Sequence, residues 1–129
     1  MAYSKVLMDH FQSPHNQGII ANADGVGEVG NIRCGDIMKI YIDVDKKENG
    51  DEYLKDVKFE TLGCAAAIAA SSVLTDLAKG RTLDEALAIT KDDIVKVLED
   101  VPPLKYHCSI LAEEGLKKAI EEYRERHES

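Results

Sequence analysis

No stretch of the sequence approaches the roughly 20 apolar residues that a membrane-spanning helix needs. Its beginning, Met1-Ala2-Tyr3-Ser4-Lys5-Val6-Leu7, has neither the charged start, the apolar middle nor the cleavage site of a secretory signal, so a cytoplasmic protein is expected. Positive charge is in deficit. Asp and Glu number 24 against 16 Lys and Arg, for a formal net charge of -8. That balance argues against nucleic acid and anionic membranes, which demand clustered cations, and suits a basic protein partner. Cysteine is present in an ordinary number. Three thiols cannot pair off completely, and the cytosol keeps thiols reduced. There is no C-x-x-C pair, which argues against a zinc finger or ribbon, and ferredoxin-type spacings are missing. What remains is an ordinary globular composition, 129 residues of which 44% are apolar. One domain over 1–129 with a core of its own is expected, free of repeats and linkers.

The hydrophobic pattern changes period near the middle of the chain. Tyr3, Val6, Leu7, His10 and Phe11 recur at helical spacing. Ser13-Pro14-His15-Asn16-Gln17-Gly18 reads as a turn. Residues 23–33, rich in glycine, suit a loop and a short strand. Met38, Ile40, Ile42 and Val44 alternate with Lys39, Tyr41 and Asp43, the mark of a half-buried strand. Asn49-Gly50 signals a hairpin, and Val57, Phe59 and Thr61 alternate on the way back. From Cys64 to Lys79 the pattern is helical and apolar on every side at its start, with Gly80 as the stop. Thr82-Leu83-Asp84-Glu85 forms a capping box, and Thr90 caps a helix through Leu98. Pro102-Pro103 ends it. A last helix begins near Cys108, with Ala112, Leu116, Ala119 and Tyr123 as its apolar stripe. Strands followed by helices predict an α+β fold: a small antiparallel sheet of about three strands, helices packed on one face, and a sulfur-rich site at one end.

The three cysteines are 30 and 44 positions apart, so only tertiary folding unites them, yet each falls at an element boundary. Cys34 and Asp36 share strand parity with Met38 and Ile40, which points thiol and carboxylate to the core side. A carboxylate there needs a partner; the plainer alternative is a turn aspartate beside a buried cysteine. Cys64 opens the alanine-rich helix, where the positive helix end favours thiolate, although a small buried core cysteine fits the same place. His107-Cys108 opens the last helix, close behind Lys105. Adjacent side chains diverge, so the two need not ligate one ion at once. Sulfur-rich sites select zinc, copper(I) or iron–sulfur clusters. A permanent [2Fe–2S] centre ordinarily uses four cysteines. With three, the fourth position falls to Asp36 or His107, and a site short of one thiolate holds its cluster loosely, which suits transfer. The rivals are a zinc-binding domain with a Cys₃Asp or Cys₃His site, an enzyme with a His107-Cys108 nucleophile pair, and an interaction domain with three core cysteines.

The sequence resembles the iron–sulfur cluster assembly scaffolds of the IscU type, which match the N-terminal domain of NifU. The resemblance is carried nearly end to end by Met1-Ala2-Tyr3-Ser4, Asp9-His10-Phe11 with Pro14 and Asn16, Cys34-Gly35-Asp36, Thr61-Leu62-Gly63-Cys64, Gly80 with Leu83-Asp84-Glu85-Ala86, and His107-Cys108-Ser109-Ile110-Leu111-Ala112-Glu113. It implies a non-enzymatic scaffold that assembles a [2Fe–2S] cluster on Cys34, Cys64 and Cys108, with Asp36 or His107 as fourth ligand and zinc as an occupant of the cluster-free form. It implies sulfur delivery by a cysteine desulfurase, release to apo-protein acceptors, and a monomer or a cluster-linked homodimer. The family's Leu-Pro-Pro-Val-Lys loop, read by an Hsp70-type chaperone where one exists, is here Val101-Pro102-Pro103-Leu104-Lys105. That makes Pro102, Pro103 and Lys105 partner-binding residues, with valine and leucine exchanged. After Cys64 the usual Gly-Ser-Ala is Ala65-Ala66-Ala67, which stiffens the turn. Arg33 and Lys105 are expected to offset the cluster's charge and to help hold the thiols ionised.

Overall fold

The computed structural model describes residues 3–31, 36–99 and 101–127, which leaves Arg33 and Cys34 outside the described residues. Within them the order is α1 (Lys5–Gln12), β1 (Gly25–Asn31), β2 (Asp36–Lys46), β3 (Glu52–Leu62), α2 (Ala65–Ala78), α3 (Leu83–Leu87), α4 (Lys91–Leu98), a 3-10 turn over Pro103–Lys105, and α5 (Tyr106–His127). The strands form an antiparallel sheet in the order β1-β2-β3, and the helices cover one face, α5 along β1 and β2 and α2 across β3. This is the expected α+β architecture.

Period-two alternation sets the sheet's inner face. Met38, Ile40 and Ile42 of β2 stand opposite Thr61, Phe59 and Val57 of β3 and are fully buried with Phe59 and Val57. On the other side they face Val29, Gly27 and Gly25 of β1. Register slips by one residue between Asp43 and Val44, a bulge that leads into the hairpin where Gly50 takes a positive φ of 91°. Tyr41 departs from the alternation. It lies on the outer side of the sheet, yet it is buried, and its hydroxyl donates to Glu60 on β3 at 2.5 Å.

Within the glycine-rich segment, Gly25–Asn31 form the short strand expected there, seven residues long. Its glycines do not break the ladder; they admit α5. A β-carbon at Gly27 would fall 2.1 Å from the Gly115 carbonyl oxygen and 2.6 Å from the Ala119 nitrogen. Helix backbone and strand backbone thus touch where no side chain intervenes.

Helix α2 is the centre of the helical layer. Ten of its fourteen residues are buried, Ser71, Ser72 and Thr75 among them. Ser71 satisfies its hydroxyl on the Ala67 carbonyl at 2.9 Å. Thr82 and Thr90 make full capping boxes with Glu85 and Asp93. Ser4 caps α1 by accepting from the Leu7 amide at 3.0 Å, and its own hydroxyl donates to the Leu98 carbonyl, tying α1 to the end of α4. Helix α5 starts at Tyr106, two residues before Cys108, so His107 and Cys108 both fall in its first turn.

Candidate functional site

Three elements end at one place. Asp36 is the first residue of β2, Cys64 is the N-cap of α2, and His107 and Cys108 lie in the opening turn of α5. Asp36 points inward, as its parity with Met38 requires, and is only 5% exposed. Gly63 makes room for it: a β-carbon there would come 2.6 Å from Asp36 Oδ1. Buried carboxylates need partners, and Asp36 Oδ2 has His107 Nε2 at 3.3 Å and the Cys108 thiol at 3.9 Å. The sulfur atoms of Cys64 and Cys108 lie 3.7 Å apart, with no bond between them. Cys108 is buried and Cys64 half-buried.

His107 and Cys108 do not diverge. His107 Nε2 lies 3.5 Å from Cys108 Sγ, and one ligand atom from each of Asp36, His107 and Cys108 falls within 4.8 Å of the others. The reason is the neighbouring 3-10 turn. His107 Nδ1 is 3.0 Å from the Leu104 carbonyl, which draws the ring back over that turn. A carbonyl only accepts, so this bond puts the hydrogen on Nδ1 and leaves Nε2 with a free lone pair in the neutral ring. Nε2 and Asp36 Oδ2 are then two acceptors facing each other, a pair that calls for a proton or a cation between them.

Burial pushes the Cys108 thiol well above its ordinary value; the Cys64 and Asp36 charges add to this, and Lys105 opposes it. The expected cationic hold on the thiols is outweighed at this residue, because a buried thiolate has lost its water. Lys105 answers in kind: its ammonium is held above the usual lysine value, chiefly by Cys64, against the opposing cost of burial, with Tyr3, Cys108 and Asp36 adding to the rise. Of the other sequence candidates, Cys34 and Arg33 lie outside the described residues. Pro102 is buried, while Pro103 and Leu104 stand exposed beside the site, Leu104 at 87%. Sequence reading missed the role of Leu104 in orienting His107, which no residue-type signal carries, since only its backbone takes part.

Apolar surface borders these residues. Ile37 and Leu62, paired across β2 and β3 next to Asp36 and Gly63, are 44% and 71% exposed. They line an open cavity of about 250 Å³ with Lys39, Glu60 and Thr61. No helix among the described residues is long and apolar enough to cross a membrane.

The chain has relatives among known proteins. The model of the NifU-like N terminal domain matches residues 2–129. The iron–sulfur cluster assembly scaffold protein IscU of Escherichia coli is 46% identical over 132 aligned positions, covering 100% of this chain and 99% of that protein. Iron–sulfur cluster assembly scaffold protein IscU 1 of Archaeoglobus fulgidus is 52% identical over 121 residues, 94% of this chain and 76% of its own length. Among solved structures, the N-terminal part of a nitrogen-fixing NifU-like protein from Brucella abortus superposes with a TM-score of 0.74 at 20% identity, covering 95% of this chain and 94% of that one. That likeness concerns the fold.

Proposed function

The chain belongs to the family of NifU-like N-terminal domains, and from that premise we propose that it is a scaffold on which an iron–sulfur cluster is assembled and from which it is handed on. The observation that carries this is the convergence of two sulfurs 3.7 Å apart with a carboxylate and an imidazole that face each other at 3.3 Å. The donor set fits the cargo: soft thiolates for iron and sulfide, harder oxygen and nitrogen for an exchangeable corner. The cluster is of the [2Fe–2S] type, held by Cys34, Cys64 and Cys108 with Asp36 or His107 in the fourth place.

The residues divide the work. Metal entry requires thiolates, so Cys108 must lose its proton. His107 Nε2 takes it and, with a side chain still 26% exposed, passes it to solvent. Lys105 offsets the negative charge that accumulates. A cysteine desulfurase supplies the sulfur, docking on the apolar rim around Ile37, Leu62 and Leu104. Release begins when the oxygen or nitrogen ligand lets go and an acceptor's thiol takes its place. Pro102, Pro103 and Lys105 offer a grip to an Hsp70-type chaperone. The protein performs no turnover of its own, and the reducing cytosol is where its thiols stay free.

Anaerobic reconstitution with iron, cysteine and a desulfurase tests the reading. The wild type gains visible absorbance, and the Cys34→Ser/Cys64→Ser/Cys108→Ser variant gains none. Equal absorbance from the two, or bound zinc that iron and sulfide never displace, rejects it.

A further inference from the structure

We propose that the protein carries a second metal site, built from His10, His15 and Asp76, which binds a divalent first-row transition ion and clasps the N-terminal segment to α2. His10 is in the last turn of α1, His15 in the turn that follows, and Asp76 in the last turn of α2. Some sixty positions separate the histidines from the carboxylate, yet one ligand atom of each falls within 4.8 Å of the others. The two imidazole rings lie 4.7 Å apart, centre to centre. Two imidazoles and a carboxylate are a donor set that zinc and ferrous iron both take, with further positions left to water.

The surroundings hold these side chains as the outer partners of metal ligands do. Ser72 Oγ lies 2.7 Å from His10 Nδ1 and accepts from the His15 backbone N–H at 2.8 Å. Asn16 donates to Asp76 Oδ1 and to Thr75 Oγ1, both at 3.1 Å, which leaves Asp76 Oδ2 toward His15 Nδ1 at 2.5 Å. The His15 and Asp76 side chains are 55% and 42% exposed. They therefore have room to turn onto an ion at bond lengths of about 2.0–2.2 Å, and the ion has a path in. His10 is kept below the ordinary imidazole value, by burial first and by His15 next. Ser72 and Asp76 lie 8 and 12 positions along α2 from Cys64, roughly 12 to 18 Å at helical rise. The two sites therefore share no ligand, and this inference stands apart from the cluster-scaffold reading.

Anaerobic titration of the full chain with Co(II) reads both sites at once. Thiolate ligation gives near-ultraviolet charge-transfer bands, whereas imidazole and carboxylate give only weak visible bands. Two equivalents are expected, one with the thiolate bands and one without, and Zn(II) displaces both. His15→Gln and Asp76→Asn weaken the second equivalent by about tenfold or more, the scale on which a lost ligand or its partner acts, and leave the thiolate bands unchanged. His15 is on an exposed turn, so its variant keeps the fold, which far-ultraviolet circular dichroism verifies. A wild type that binds one equivalent with thiolate bands alone overturns the proposal, as does an undiminished second equivalent in both variants. Failure of the cysteine site appears separately, as missing thiolate bands.

Discussion

Asp36 concentrates the chemistry of the site in one side chain. Its carboxylate is nearly out of solvent, over a glycine, with His107 Nε2 and the Cys108 thiol as neighbours. In the proposed scaffold, Asp36 as an oxygen ligand beside soft sulfurs would be the weakest of the set and so the first to exchange. Asp36→Ala is expected to lengthen the lifetime of a reconstituted cluster, or to slow its transfer to an apo-ferredoxin, by an amount on the order of tenfold. Decay of visible absorbance with and without acceptor measures this, and unchanged kinetics in both would remove Asp36 from the mechanism. Among the described residues, the types at the site were legible in the sequence, because Asp36, Gly63-Cys64 and His107-Cys108 carry them openly. The orientation of His107 was not. It depends on the backbone carbonyl of Leu104, which any residue at 104 would supply.

At the scale of elements, local signals served well where the physics is local. Thr82 and Thr90 cap their helices through side chains three residues on, a reach of one turn. Inner positions of β2 and β3 follow strand alternation, which neighbouring residues impose on each other. The glycine-rich stretch held the expected short strand, but its glycines have a reason that local reading did not give: in β1 they answer α5, some ninety positions away. Gly27→Ala is therefore expected to force helix and sheet apart and to cost about 1–3 kcal/mol, as overpacking of a tight contact does. The urea midpoint should fall with an unchanged slope. A midpoint equal to wild type would show that α5 does not rest on that strand.

For the molecule as a whole, the outer surface of the fold is tied by tyrosines to carboxylates far along the chain. Tyr41 is pushed up to about 12, first by its hydrogen bond to Glu60 and then by burial. Tyr123 also rises to about 12, first by burial and then by its hydrogen bond to Glu52. Both values lie above that of a free tyrosine, so the folded state keeps protons that the unfolded chain releases. The stability they contribute is complete below about pH 10 and is lost as pH climbs from 10 through 12. Urea midpoints measured across that window should fall for the wild type and fall less steeply for Tyr41→Phe/Tyr123→Phe; parallel slopes would dismiss the two phenols. The sequence by itself determined the order of elements, their caps, their buried faces and the kinds of donor atom available, because each of these follows from residues a turn or a strand pair apart. Only the tertiary structure decided that the Cys64 and Cys108 sulfurs meet, that Asp36 faces His107, and that His10 and His15 come to Asp76. Those distances are the sum of many packing contacts across 44 to 71 positions, and no short stretch of chain contains them.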